Sequence, residues 1–248
     1  MTPPAWWPRK AHDGKWIQFN QQRRKQMQEV WNAYLDITRQ WQKPDILLVN
    51  GDCIDGNQKK SGSAELLTVN RQEQCDIAVN CIKRFNAKKI LMTYGTGYHV
   101  GSEAEDYEYL IAQELGAEIG GHLFFESNGV VISAKHKTSP SNIYHGRATS
   151  LLREILWNII KQEMDAEPKA DIFIRSHVHY FTYVETPTKI GFTTPALQLS
   201  RGRYGTRECA GGETHWGAIR LTLHKGQVIK KDVICRRLVA NKQKVLKV

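Results

Sequence analysis

Four polar clusters in the sequence combine carboxylates and imidazoles at spacings that could hold metal ions. They are the segments 51–56 (GDCIDG), 95–101 (GTGYHVG) and 176–179 (SHVH), together with the single residue His136. Carboxylate oxygen and imidazole nitrogen form a donor set that suits Mn²⁺, Fe and Zn²⁺. The clusters therefore indicate metal chemistry, whereas each one alone is also compatible with a turn, a helix cap or a structural histidine.

Each cluster follows an apolar run that predicts a β-strand. The runs 45–50 and 89–95 flank a helical stretch at about 64–86 and predict a β-α-β unit, and the run 171–176 precedes the two histidines. Ligands bind beyond the carboxyl ends of strands in open parallel sheets, so we expect these loops to meet in one crevice. The glycine-rich segment is not a dinucleotide loop, because Val100 stands where that motif needs glycine.

The remaining pattern predicts one α/β domain with a β-rich C-terminal part. Asn128-Gly129 predicts a hairpin within 122–136, and residues 1–16 and 236–248 are interpreted as an extended arm and a basic tail of a single domain spanning 1–248. Further helices are predicted at 18–41, 103–115 and 147–163, and antiparallel strands at 180–187, 189–195, 215–223 and 227–237.

Composition places the chain among globular proteins. Its 248 residues are 41% hydrophobic and 24% charged, and the mean hydropathy is −0.49, which argues against a disordered or membrane-embedded chain. The five cysteines form no CxxC pair, so reduced thiols are favoured over a disulfide framework. The N-terminus has no signal-peptide pattern, which predicts a cytoplasmic protein without a membrane partner.

The positive charge of the chain is concentrated at its two ends. Residues 1–43 hold eight Lys and Arg against three Asp and Glu, and residues 225–248 hold eight against one, out of a total net charge of +10. Such ends suit a polyanion such as DNA or RNA, although a solubilising surface accounts for them equally well.

In order and spacing, the clusters resemble the calcineurin-like metallophosphoesterases. That family has the blocks D-x-H, GD-x-x-D, GNH[D/E], a lone His and GH-x-H, of which the last four can be placed over residues 45–180. The resemblance implies a β-sandwich flanked by helices and a metal-dependent phosphodiesterase. Hydrolysis by a metal-activated water, with nucleic acid or nucleotides as the expected substrate, follows from it.

The resemblance also implies roles for individual residues. Asp52 would bridge two metal ions, His136 and His177 would bind the second ion, and His179 would bind the first. His99 would contact the phosphate and protonate the leaving oxygen. Mn²⁺ is the expected ion, with Fe, Zn²⁺ or Mg²⁺ as alternatives.

Additional residues are expected to contact the substrate. Tyr98 stands where the family has a metal-binding Asn, and the hydroxyl of Thr96 could replace that ligand. His145 and Arg147, which precede a predicted helix, could place a cation against a substrate phosphate, or form an ordinary surface loop.

The D-x-H block is not found in residues 1–17. Either an upstream segment supplies it, or the protein binds one metal ion, or the fold acts as a non-catalytic binding protein. The first metal site is therefore expected to be the weaker one. A phosphomonoesterase acting on a small molecule is a further alternative, and the oligomeric state is open.

Overall fold

Strands and helices alternate along the first two thirds of the chain, and strands dominate the last third. A computed structural model describes residues 2–7, 9–10, 16–17, 21–57, 66–97, 106–198 and 214–237. The helices in these ranges are α1 (Gln21–Gln40), α2 (Arg71–Lys83), α3 (Tyr107–Leu115) and α4 (Tyr144–Glu163), with a short 3-10 turn at Pro4–Trp6. The strands are β1 (Arg9–Lys10), β2 (Trp16–Ile17), β3 (Ile46–Asn50), β4 (Lys89–Thr93), β5 (Glu118–Gly120), β6 (Leu123–Ser127), β7 (Val130–Ala134), β8 (Ile172–Arg175), β9 (Thr182–Glu185), β10 (Ile190–Thr193), β11 (His215–His224) and β12 (Gln227–Arg237).

The strands form two main sheets. Strands β3, β4 and β5 make a parallel sheet, which confirms the predicted β-α-β unit around α2. A five-stranded sheet has the order β6-β7-β8-β10-β9, and the antiparallel ribbon β11-β12 accompanies it. Strand β10 pairs antiparallel with β9, as predicted, but parallel with β8. The prediction that the strands after residue 180 are antiparallel is therefore incomplete for β10, because β9 lies at the edge of the sheet and β10 inserts between β9 and β8.

Alternation along β3 shows how the layers stack. Leu48 packs on the core of the five-stranded sheet, whereas Leu47 and Val49 pack beneath helices α1, α2 and α3. Successive side chains of a strand point to opposite faces, so β3 lies between two hydrophobic layers. Helix α4 covers the other face of the five-stranded sheet through Ile155. The result is a β-sandwich flanked by helices, and the predicted α/β fold class is confirmed.

Local capping explains where the helices begin and end. Helix α2 begins at Arg71 rather than near residue 64, because the Asn70 side chain accepts a hydrogen bond from the Glu73 backbone N–H. Helix α3 ends at Gly116, whose φ of 62° matches the predicted glycine cap. The predicted hairpin is confirmed at Asn128-Gly129, where β6 turns into β7.

Two further expectations concern cysteines and membranes. In the described ranges Cys53, Cys75, Cys81 and Cys235 form no disulfide bond. None of the helices described is long and apolar enough to cross a membrane.

Candidate metal centre

The loops after β3, β4, β7 and β8 meet at one end of the two sheets. The Asp52 Oδ1 atom, just after β3, accepts hydrogen bonds from the Thr96 backbone N–H at 2.7 Å and hydroxyl at 3.1 Å, just after β4. The backbone N–H of Ser176, after β8, donates to the His136 carbonyl, after β7, at 2.8 Å. The convergence expected from the strand ends is therefore present.

Three of the predicted ligands lie close enough to share one ion. Among the residues described, Asp52, His136 and His177 place one ligand atom each within 4.8 Å of one another. The His136 and His177 rings meet edge to face, with centroids 5.3 Å apart. His136 is buried, and the other two side chains are partly exposed, so the cluster borders solvent on one side.

The hydrogen bonding of His136 orients it as a metal ligand. Its Nδ1 atom lies 2.7 Å from the Asn50 carbonyl oxygen, which fixes a proton on Nδ1, since a carbonyl can only accept. In the neutral imidazole Nε2 then carries the lone pair, and it faces the Asp52 Oδ2 atom at 3.0 Å. Imidazoles that bind metals characteristically donate their other N–H to a carbonyl in this way.

The Asp52 Oδ2 and His136 Nε2 atoms can lie this close when a proton or a metal cation is shared between them. Among the described residues, the buried Nε2 atom of His136 has no hydrogen-bond partner of acceptable geometry. Burial alone would lower the pKa of His136, but the Asp52 carboxylate and the Asn50 carbonyl raise it above its ordinary value. The negative charge of the Asp52 carboxylate, which favours a proton on His136 Nε2, also favours a metal cation there.

The geometry fits a divalent transition metal. Two ligand atoms each about 2.0–2.2 Å from one ion lie about 3 to 3.5 Å apart when they are adjacent in its coordination sphere. The 3.0 Å separation of Asp52 Oδ2 and His136 Nε2 falls in this range. One carboxylate and two imidazoles suit Zn²⁺, Mn²⁺ or Fe better than Ca²⁺.

The candidate ligands share an uncommon backbone conformation. Asp52, His177 and His179 have φ values of 54°, 70° and 57°, in the left-handed region that residues other than glycine seldom adopt. Such conformations cost free energy and persist where the surrounding structure holds them, often at functional sites. These conformations are consistent with side chains held for ligand binding rather than for stability.

Two glycines allow the loops to approach each other. A Cβ on Gly51 would lie 2.5 Å from His136 Nδ1, and Gly51 also has a φ of 78°. A Cβ on Gly95 would lie 2.2 Å from Asp52 Oδ1 and 2.4 Å from the Asp52 backbone nitrogen. Only glycine fits at either position, which explains why the sequence places Gly at both strand ends.

Glu108 is a buried residue of the site that sequence reasoning missed. Its carboxylate accepts the backbone N–H of Cys53 at 2.9 Å and of Gly95 at 2.5 Å, joining the loops after β3 and β4. Burial raises the pKa of Glu108 above its ordinary value, although these two hydrogen bonds lower it. The sequence showed only acidic residues near the start of α3, with no signal that this one points inward.

Asn50 is a second buried polar connection that was missed. Its side chain accepts the Thr93 hydroxyl at 2.8 Å and donates to the Ser176 hydroxyl at 2.8 Å. It thereby links β4 of one sheet to the loop after β8 of the other, while its carbonyl orients His136. In the sequence, the signal for this role was a polar residue, Asn50, at the end of the apolar run 45–50.

The other predicted residues lie as follows. His179 is outside the three-ligand cluster, and its carbonyl accepts the His215 backbone N–H at 2.8 Å. Thr96 contacts Asp52 through its hydroxyl. His145 is exposed at the start of α4, whereas Arg147 is 4% exposed. Tyr98 and His99 lie outside the described residues.

Comparison with known proteins gives similarity in fold. No protein-family model matches the chain, and no curated protein matches it. Solved structures that are similar include a single-substitution variant of Vps29 from Entamoeba histolytica, with 13% identity over 83% of this chain and 89% of that one and a TM-score of 0.43. An archaeal phosphodiesterase is 14% identical, with 76% of this chain and 99% of that one covered and a TM-score of 0.38. A predicted phosphoesterase from Streptococcus pneumoniae is 11% identical, with 77% of this chain and 97% of that one covered and a TM-score of 0.33. Similarity at this level concerns the overall fold alone.

Proposed function

We propose that the protein is a metal-dependent phosphodiesterase that acts on nucleic acid or nucleotides. The observation that carries this proposal is the pair of acceptor atoms, Asp52 Oδ2 and His136 Nε2, held 3.0 Å apart beside His177. A carboxylate and two imidazoles at the carboxyl ends of several strands form a binding site for a divalent cation. The order of the blocks in the sequence is that of the metallophosphoesterases.

When bound, a divalent cation would neutralise phosphate oxygens and lower the pKa of a bound water. The chain's own residues hold the ligands in place. Thr96 fixes one oxygen of Asp52 and leaves the other facing His136. Asn50 keeps a proton on Nδ1 of His136, so that Nε2 remains a donor atom toward the ion. His177, on its left-handed turn, supplies the third ligand.

The roles of the remaining predicted residues belong to the same proposal. His179 would bind the first, weaker ion, which shares Asp52 with the ion at His136 and His177, and His99 would protonate the leaving oxygen. Mn²⁺ is the proposed ion. The basic ends of the chain support a nucleic-acid substrate through charge, and we place the protein in the cytoplasm.

A non-catalytic binding protein is the second candidate. The observation that favours it is the absence of a D-x-H sequence from residues 1–17. Without those ligands the first ion would keep only Asp52 and His179. Metal binding without turnover is the result that this alternative predicts.

Hydrolysis of bis-p-nitrophenyl phosphate with added Mn²⁺ tests the proposal. The wild type should turn over the diester, and Asp52→Asn should fall to the metal-free background because it loses the ligand charge. Asp45→Asn is the matched control, since Asp45 is an exposed carboxylate at the opposite end of β3. Comparison with p-nitrophenyl phosphate separates a diesterase from a monoesterase. Wild-type activity no higher than that of Asp52→Asn would favour the binding protein.

A further inference from the structure

A cationic and aromatic cluster lies beside the candidate metal centre. The Arg147 guanidinium carbon is 4.3 Å from the centre of the Tyr144 ring and 4.2 Å from the centre of the Tyr180 ring. Arg147 and Tyr180 are 4% and 1% exposed, whereas Tyr144 is 67% exposed. The cluster therefore has a buried base and an exposed aromatic side chain.

Tyr180 connects this cluster to the candidate metal centre. It directly follows His179, which the sequence predicts as a ligand. Its hydroxyl accepts the Ser141 backbone N–H at 3.2 Å, and its carbonyl accepts the Thr193 hydroxyl at 2.6 Å. Tyr180 is thereby fixed at both ends, and its ring contacts Arg147. The segment that carries the candidate ligands His177 and His179 is therefore in contact with the start of α4.

The surrounding chain is basic. Residues 127–153 contain Lys135, Lys137, Arg147 and Arg153 and no Asp or Glu. This stretch includes His136, the candidate metal ligand, and continues into α4, which carries Tyr144. Proteins that bind single strands combine such charge, which follows the phosphates, with exposed aromatic rings on which bases stack.

We propose that Tyr144, backed by Arg147 and Tyr180, stacks on a base of a single-stranded nucleic-acid substrate whose phosphodiester lies at the metal centre. This inference rests on the proposed function and names its substrate class. The contact with Arg147 orders the Tyr144 ring before the base arrives, which reduces the entropy lost on binding. A duplex would not suit, since its bases are already stacked on each other.

Fluorescence anisotropy with a short oligothymidylate tests the proposal. Measurements are made in EDTA so that the strand stays intact, and an abasic strand of the same length supplies the phosphates without bases. Tyr144→Ala should weaken oligothymidylate binding by about fivefold or more, while binding of the abasic strand should be unchanged. Tyr144→Phe, which keeps the ring, should bind within about twofold of wild type.

Leu152→Ala is the control for a truncated side chain on the same helix, since Leu152 is 46% exposed and lies outside the cluster. It should bind both strands as the wild type does. The proposal is overturned if the wild type does not bind oligothymidylate, if Tyr144→Ala binds it normally, or if that variant weakens both strands equally. Binding in EDTA needs no turnover, so this test can fail while diester hydrolysis succeeds, and the reverse.

Discussion

Replacing Gly95 by alanine should separate the two loops that meet at Asp52. The new Cβ would lie 2.2 Å from Asp52 Oδ1 and 2.4 Å from the Asp52 backbone nitrogen. Rotation of the Asp52 side chain could relieve the first contact, but the second involves backbone on both sides. The loop after β4 must therefore move away from the loop after β3.

The size of the movement follows from the distances. Real Cβ atoms essentially never approach another heavy atom closer than 3.0 Å, so the 2.4 Å contact requires a shift of at least about 0.6 Å. A shift of that size along the Thr96 N–H to Asp52 bond, now 2.7 Å, would lengthen it beyond the usual limit of about 3.2 Å. Overpacking of this kind costs about 1–3 kcal/mol of folding free energy. Misplacing a reacting group by about 1 Å costs about 100-fold in rate.

The assays are urea unfolding and Mn²⁺-dependent hydrolysis of bis-p-nitrophenyl phosphate. Gly97→Ala is the matched control, because a Cβ on Gly97 meets no atom of the described residues within 4 Å. We expect Gly95→Ala to lose stability and most of its turnover, and Gly97→Ala to retain both. Normal turnover and stability in Gly95→Ala, or equal damage in Gly97→Ala, would refute the assignment of close loop contact to the site.

Three further substitutions test polar residues: two that support the site and one, His122, in another part of the fold. Glu108→Gln should lower the unfolding free energy by about 1–3 kcal/mol, because a side-chain amide has one acceptor oxygen and cannot accept both backbone N–H groups that the carboxylate accepts. Urea unfolding measures the loss, and an unchanged midpoint would contradict the role of Glu108 in joining the two loops. Asn50→Ala should cost a similar amount, about 1–3 kcal/mol, since it removes the acceptor of the Thr93 hydroxyl and one of the hydrogen bonds of the Ser176 hydroxyl. A loss below that range in the same assay would speak against the link between the sheets. Burial lowers the pKa of His122 to about 4, so the unfolded chain binds the extra proton between pH 6.5 and 4 and stability falls as the pH drops through this window. The unfolding free energy of His122→Gln should therefore depend less on pH between 6.5 and 4 than that of the wild type. Urea unfolding at several pH values measures it, and identical profiles for the two proteins would exclude a contribution from His122.

The sequence pattern was sufficient for the elements that hold the site. Short apolar runs bounded by polar or glycine residues indicate β3, β4 and β8, and Asn128-Gly129 indicates the hairpin, so these elements were predictable from local sequence. The order of ligands along the chain also brought Asp52, His136 and His177 into one expected site. These three do lie within 4.8 Å of one another.

Other features depend on contacts between distant segments. The parallel pairing of β10 with β8 is set by packing, which no local pattern encodes. Glu108 resembles any acidic residue near a helix start until the fold buries it against the backbone of Cys53 and Gly95. Arg147 is 4% exposed and contacts the rings of Tyr144 and Tyr180. Nothing in the local sequence indicates its contact with Tyr180.

The most direct test of the metal centre is anomalous diffraction from crystals soaked in Mn²⁺. Data collected on both sides of the manganese absorption edge would locate the ion without reference to activity. We expect an anomalous peak about 2.0–2.3 Å from Asp52 Oδ2, His136 Nε2 and a ring nitrogen of His177. Manganese bound elsewhere, or no peak at these three side chains at saturating metal, would contradict it.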